Sequence, residues 1–176
     1  MIAYALLVAA VAVQRLAELL ISRRNAAWSF EGGGVEFGRR HYPFLVLLHV
    51  GLLTGCIAEP LLAHRDFVPF LGWPMLALLL AAQALRAWCI SALGRQWNFR
   101  VIVVPGLSRV RSGPYRFLSH PNYVAVVVEG VALPLIHSAW ITATAFTLLN
   151  AVALSVRIRT EERALSLKTA TKTATV

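Results

Sequence analysis

Five long stretches with almost no charge constrain this chain most: residues 2–21, 42–58, 70–93, 121–136 and 139–156. An apolar helix of about 20 residues crosses a bilayer. Hydrophobic residues make up 58% of the chain and charged residues 14%. A soluble domain carries about 25% charged residues. Mean hydropathy is +0.66. The expected fold is an all-α integral membrane protein with about five transmembrane helices, one membrane domain over residues 1–176. Residues 166–176, rich in Thr and Ala, are expected to form a flexible tail. The N-terminal stretch has neither a basic leader nor a small-residue cleavage site, so it is expected to be a retained helix rather than a signal peptide.

The loops set an orientation. Residues 22–41 hold four arginines (23, 24, 39 and 40), residues 94–120 hold five (95, 100, 109, 111 and 116), and the chain from Arg157 onward holds five Lys and Arg. The other loops hold one, Arg65. By the positive-inside rule the N-terminus lies outside and the C-terminus inside a cell membrane. The net charge of +9 is thus a topology signal and not a nucleic-acid footprint, because no basic helix with interleaved aromatics stands outside the membrane. Cys56 and Cys89 both fall in apolar stretches without metal-ligand or disulfide spacing, and read as reduced buried thiols.

Polar residues inside the stretches stand out, since charge at membrane depth is costly. Arg15 and Glu18 are three apart and can pair on one helix face. Gln83 and Arg86 are also three apart and share a face, and Arg86 is expected to face a cavity or to snorkel. His49 sits mid-stretch in the second segment, where packing is the first expectation. Glu129 sits in the fourth segment, seven residues from Asn122 and so on the same face. The 22–41 loop is expected to lie at the headgroups, with Trp28 and Phe30 among arginines. Residues 99–104 read as a short strand or extended piece.

One segment concentrates chemistry: Arg111-Ser-Gly-Pro-Tyr-Arg-Phe-Leu-Ser-His-Pro-Asn-Tyr123. Pro121 suits the first turn of a helix, where a missing N–H costs nothing. Arg116, His120, Asn122 and Tyr123 therefore gather at a helix N-terminus. Free N–H groups and the positive dipole end favour an anionic group there. A two-residue link, His137-Ser138, folds segments four and five into a hairpin. That hairpin returns Arg157 and Glu161, one turn apart, to the side of His120.

The string Gly113-Pro-Tyr-Arg-Phe-Leu-Ser-His-Pro-Asn-Tyr123, two apolar spans, and then Arg157-x-x-x-Glu161-Glu162-x-x-Leu165 together resemble the isoprenylcysteine carboxyl methyltransferase family. That family is related to the phospholipid methyltransferases, and the resemblance covers roughly residues 80–165, the expected methyltransferase core. Gln14-Arg15-x-x-Glu18, Ser22-Arg-Arg-Asn25, His41-Tyr42-Pro43 and Leu93-Gly-Arg-Gln-Trp-Asn98 look like a bacterial branch associated with phenolic polyketide lipids such as alkylresorcinols and alkylpyrones. The resemblance implies S-adenosylmethionine as methyl donor. His120, Pro121, Asn122 and Tyr123 match the cofactor-binding motif, Glu161 the glutamate that holds the cofactor, and Arg157 the arginine at the substrate carboxylate. Glu162 and Arg116 join the cofactor set, the latter for the donor's carboxylate. After Tyr123 this chain departs from the prenylcysteine members with Val124-Ala-Val-Val-Val128 and Glu129. The resemblance therefore bears on the donor more than on the acceptor.

The expected reaction is O-methylation of a lipophilic small molecule or lipidated substrate, a phenolic lipid or an isoprenylcysteine carboxylate, drawn from among the membrane lipids. A carboxylate needs no base, and Arg157 would orient it. A phenol needs one, with His120 and Glu129 as candidates. A phospholipid amine N-methyltransferase is an alternative that an arginine in the pocket disfavours. A non-catalytic membrane protein is the other, and predicts no cofactor binding. No nucleic acid partner is expected, and nothing in the sequence gives the oligomeric state.

Overall fold

The computed structural model describes residues 1–38, 42–108 and 110–173, with side chains described as far as Ala164. Arg39, Arg40, His41 and Arg109 lie outside the described residues. Among the described residues five α-helices run in chain order: α1 (Ile2–Glu31), α2 (Tyr42–Leu62), α3 (Pro69–Leu93), α4 (Pro121–Leu135) and α5 (Trp140–Thr173). Two short strands, β1 (Val35–Phe37) and β2 (Val101–Val103), pair antiparallel with Glu36 opposite Ile102. Four helices are long and apolar enough to span a membrane, and α4 is shorter. At 1.5 Å per residue the 15 residues of α4 reach about 22 Å. This is an all-α integral membrane architecture.

The helices alternate in direction. At one end α1 begins, α2 ends, α3 begins and the α4–α5 link turns. There Tyr4 Oη donates to the Leu133 carbonyl (3.0 Å) and Ser138 Oγ to the Asp66 carbonyl (3.1 Å). Glu59, near the end of α2, caps the start of α5. Its carboxylate accepts from Ile141 N (3.0 Å), Thr142 N (2.7 Å) and Thr142 Oγ1 (2.8 Å). A negative charge on the first N–H groups of a helix satisfies orphan donors and complements the dipole. Ser138 takes the positive φ of 56° that closes the link.

The opposite end differs from the sequence expectation. The first helix does not stop near Ile21 but continues to Glu31. Ser22, Asn25, Ala26 and Ser29 form a buried stripe at helical spacing. Asn25 Nδ2 donates to the carbonyls of Trp97 (2.7 Å) and Gly94 (3.2 Å). Ser22 Oγ donates to Asn98 Oδ1 (2.8 Å) and accepts from Phe99 N (2.9 Å). Trp97 is 2% exposed beneath this clamp. The expected extended piece at residues 99–104 is β2. Helix α5 likewise runs past Val156 to Thr173.

The core lies between the spans, with Leu52, Cys56, Leu79, Leu133 and Phe146 among its buried members. Both cysteines are buried free thiols. Helix α4 is the most enclosed element, with nine of its residues buried. Its approach to α5 is close at Gly130, where an added Cβ would lie 2.1 Å from the Phe146 ring. Neighbouring backbone and ring cannot both yield at that distance, and overpacking costs about 1–3 kcal/mol. Gly130→Val is expected to lower the thermal unfolding midpoint of the detergent-purified protein, while Gly51→Val, at a glycine with open space, is expected to leave it near the parent value.

Candidate active site

Two cavities open side by side at the end that carries the clamp. The first encloses about 200 Å³ and is polar on much of its wall. Residues 96–98 and 100–104 form one side of it, and the first turn of α4 with Arg157 and Glu161 of α5 the other. Tyr123 Oη donates to Glu161 Oε2 (2.6 Å) and accepts from Arg157 Nε (2.9 Å). The Arg157 guanidinium also stands 5.6 Å from the centroid of the Tyr123 ring. His120 stacks on the Tyr123 ring, with centroids 5.2 Å apart and planes tilted by only 11°. His120 is the N-cap of α4, yet its side chain makes no capping hydrogen bond, so it is free to serve as a stacking ring. Pro121 is fully buried at the first helical position.

The second cavity encloses about 300 Å³ and is almost wholly apolar. Leucines and valines of α1 and α2 wall it, with Val126 of α4 and Leu154 of α5. Leu16, Val46 and Val50 line it and are also 62%, 43% and 53% exposed. In a bilayer those faces meet lipid tails, so the cavity opens sideways between α1 and α2. Asn122, Tyr123 and Arg157 line both cavities. A polar chamber and a lipid-facing chamber thus share one wall of three side chains.

Residues 75–167 match the Isoprenylcysteine carboxyl methyltransferase (ICMT) family, more than half of the chain. The chain belongs to this family. It is 40% identical over 161 residues to the uncharacterized protein YpbQ of Bacillus subtilis (strain 168), covering 91% of this chain and 95% of YpbQ. It is 28% identical over 155 residues to an uncharacterized protein of Haemophilus influenzae, covering 86% and 88% respectively. Membership makes the chain a membrane methyltransferase.

A charged cluster joins three helices of this ICMT-family fold, and its arginines, Arg15 and Arg86, line the apolar cavity. Arg15 pairs with Glu18 within α1, and its Nη2 reaches Glu129 Oε2 of α4 (2.5 Å). Arg86 Nη2 of α3 reaches the same oxygen (2.6 Å), and its Nε lies 4.0 Å from Glu18. Gln14 Nε2 donates to Glu18 Oε1 (3.1 Å) and Gln83 Oε1 (3.0 Å). Two guanidiniums and two carboxylates give a neutral set, which is how charge is tolerated away from water. The sequence-expected pair, Arg15 with Glu18, belongs to it, and Gln83 joins by accepting from Gln14 and Arg15 rather than by bonding Arg86.

Of the residues singled out in the sequence, the fold brings His120, Asn122, Tyr123, Arg157 and Glu161 to the polar cavity. Arg116 and Glu162 are exposed and line neither cavity. Arg116 ends a 3-10 turn (Gly113–Arg116) and lies against Phe117, 5.3 Å from its centroid. Successive residues on that turn diverge by about a third of a circle, and it is Tyr115 that lines the cavity. Glu162 follows Glu161 on a helix, so the two cannot share a face. Glu129 also lines neither cavity, being held between Arg15 and Arg86.

Sequence reasoning missed Tyr115 and the strand residues that wall the polar cavity. Burial raises the Tyr115 phenol far above its usual range, with the neighbouring Cys89 adding to the effect, so it stays a neutral donor. Helix–loop motifs carried no signal for either; the signal for the strands was the apolar run Val101-Ile-Val-Val104 in a basic loop. Removing Glu129 would leave two buried guanidiniums short of a partner, a loss of about 3–5 kcal/mol. Glu129→Ala is expected to abolish most folded protein in detergent, read by gel filtration and thermal unfolding. Arg65→Ala, a half-exposed pair at the other end, is expected to change little.

Proposed function

We propose that this chain is an S-adenosylmethionine-dependent O-methyltransferase that acts on a lipophilic acceptor at a cytoplasmic site of the cell membrane. The single observation that carries this reading is the wall of Asn122, Tyr123 and Arg157 common to a polar and an apolar cavity. The excess of arginine at the cavity end supports the cytoplasmic side: Arg23, Arg24, Arg95, Arg111 and Arg159 are exposed there.

The residues present fit the donor. Glu161 offers a carboxylate to an ammonium group, His120 and Tyr123 offer ring faces, and Asn122 Oδ1 is a buried acceptor without a partner. When bound, the donor supplies a methyl group on a positively charged sulfur. Methyl transfer breaks that carbon–sulfur bond and forms a carbon–oxygen bond in line with it, so the protein's work is positioning and exclusion of water. Arg157 lies at the shared wall, where its guanidinium can fix an anionic acceptor oxygen. Tyr123 holds Arg157 and Glu161 in one hydrogen-bonded chain, so the group that meets the acceptor and the group that meets the donor keep a set separation. Walls of leucine and valine seat the acceptor's apolar part. For a carboxylate no base is needed. For a phenol, His120 on the polar cavity is better placed as base than Glu129, which faces neither chamber. An arginine at the shared wall disfavours a cationic amine headgroup as acceptor.

Titration calorimetry of the detergent-purified protein with S-adenosylmethionine, parent against Glu161→Ala, tests the donor. Loss of a charge-assisted contact of about 1.5–3 kcal/mol weakens binding roughly ten- to a hundredfold. Arg157→Ala is expected to spare donor affinity more than it spares radiolabelled methyl transfer to a long-chain phenol or a prenylcysteine. A folded parent that binds no donor, with or without acceptor lipid, would overturn the proposal.

A further inference from the structure

Besides Arg15 and Arg86, which Glu18 and Glu129 engage, the apolar cavity contains polar groups for which methyl transfer has no use. Asn150 of α5 lies in its wall, is 1% exposed, and has an Oδ1 without a hydrogen-bond partner. His49 of α2 lines the same cavity. His49 Nδ1 stands 2.8 Å from the Leu45 carbonyl, which can only accept. The hydrogen is therefore on Nδ1, and Nε2 is left as an acceptor. The His49 ring packs edge-on against Phe146 at 5.5 Å. Phe146 is one helical turn from Asn150, so the imidazole and the amide sit at neighbouring levels of one wall. Buried amides are nearly always satisfied, and an unmet one in apolar surroundings is costly. A hydrocarbon chain would leave both groups unmet.

We infer that Asn150 and His49 form a second recognition point inside the acceptor cavity, which takes a hydroxyl group borne on the acceptor's apolar chain. A hydroxyl both donates and accepts, and so suits an amide in either orientation as well as an imidazole nitrogen. The spacing adds a constraint. Asn150 and Arg157 are seven residues apart on one face of α5, roughly 10 Å along the axis. The recognised hydroxyl therefore stands well down the chain from the oxygen that Arg157 would hold, and not beside it. The two points together would select a functionalised lipid chain over a plain one. The inference rests on the acceptor role given above to the apolar cavity.

Equilibrium binding to the detergent-purified protein tests it without turnover. The probes are a saturated long-chain carboxylate and its counterpart with one hydroxyl near mid-chain, since either carboxylate can pair with Arg157. The parent is expected to prefer the hydroxylated probe roughly two- to tenfold, the scale of one net hydrogen bond. Asn150→Leu is expected to erase that preference while it binds the plain probe at least as well as the parent. S-Adenosylmethionine titration of the same variant checks that it folds. Should Asn150→Leu fail to fold, His49→Phe carries the test and is expected to reduce the preference. Equal binding of both probes by the parent, a preference that survives in the folded variants, or no binding of either probe would overturn the inference. Methyl transfer to other acceptors that persists in any of those cases would leave the proposed function standing.

Discussion

The Tyr123 hydroxyl is the hinge of this architecture. It sits on the first turn of α4, donates to Glu161 and accepts from Arg157, two residues one turn apart on α5. Those helices are consecutive and joined by a link of a few residues at the far end. A contact between the start of α4 and the middle of the longer α5 therefore closes the hairpin at its open side. Everything at the site hangs on that closure. His120 stacks on the same tyrosine, Asn122 precedes it, and the wall between the cavities is built from the three groups so assembled. Gly130 lets the helices lie close enough for the contact to form.

Closure in an apolar medium needs its polar groups satisfied elsewhere, and the chain does this at three levels. Glu59 caps α5 at the far end. The neutral set of Arg15, Glu18, Arg86 and Glu129 ties α1, α3 and α4 together in the middle. Ser22 and Asn25 bind the loop backbone after α3 at the near end. Apart from Arg15 with Glu18, each of these polar contacts joins parts of the chain far apart in sequence. Their geometry fixes where α4 stands against its neighbours, and so where its first turn presents Asn122 and Tyr123. Without lipid-depth hydrogen bonds of this kind, helices in a bilayer have little else than packing to set their register.

How much of this was legible in the sequence follows from which signals reach across the chain. Apolar length marks spans, and all five helices were found by it. Hairpin length and helical spacing placed Arg157 and Glu161 beside His120. Pairs within a helix, Arg15 with Glu18, could be read from a spacing of three. What joins helices could not: nothing in a spacing says that Glu129 takes both Arg15 and Arg86, and the lone glutamate looked like a chemical group. The end of α1 was missed because its buried stripe is Ser22, Asn25 and Ser29, polar residues that face a backbone rather than a core. Arg116 and Glu162 drew attention as charges near a motif. A 3-10 turn and a 100° step on a helix, which only the backbone path decides, turn them outward.

As proposed, the polar cavity holds the methyl donor with its sulfur at the wall shared with the apolar cavity. A structure of the protein in lipid nanodiscs with S-adenosylhomocysteine bound tests it most directly. The ligand is expected between Glu161 and the loop that carries residues 96–98 and β2, its sulfur facing Asn122 and Arg157. A ligand bound elsewhere, or one in the cavity with its sulfur turned away from that wall, would contradict it.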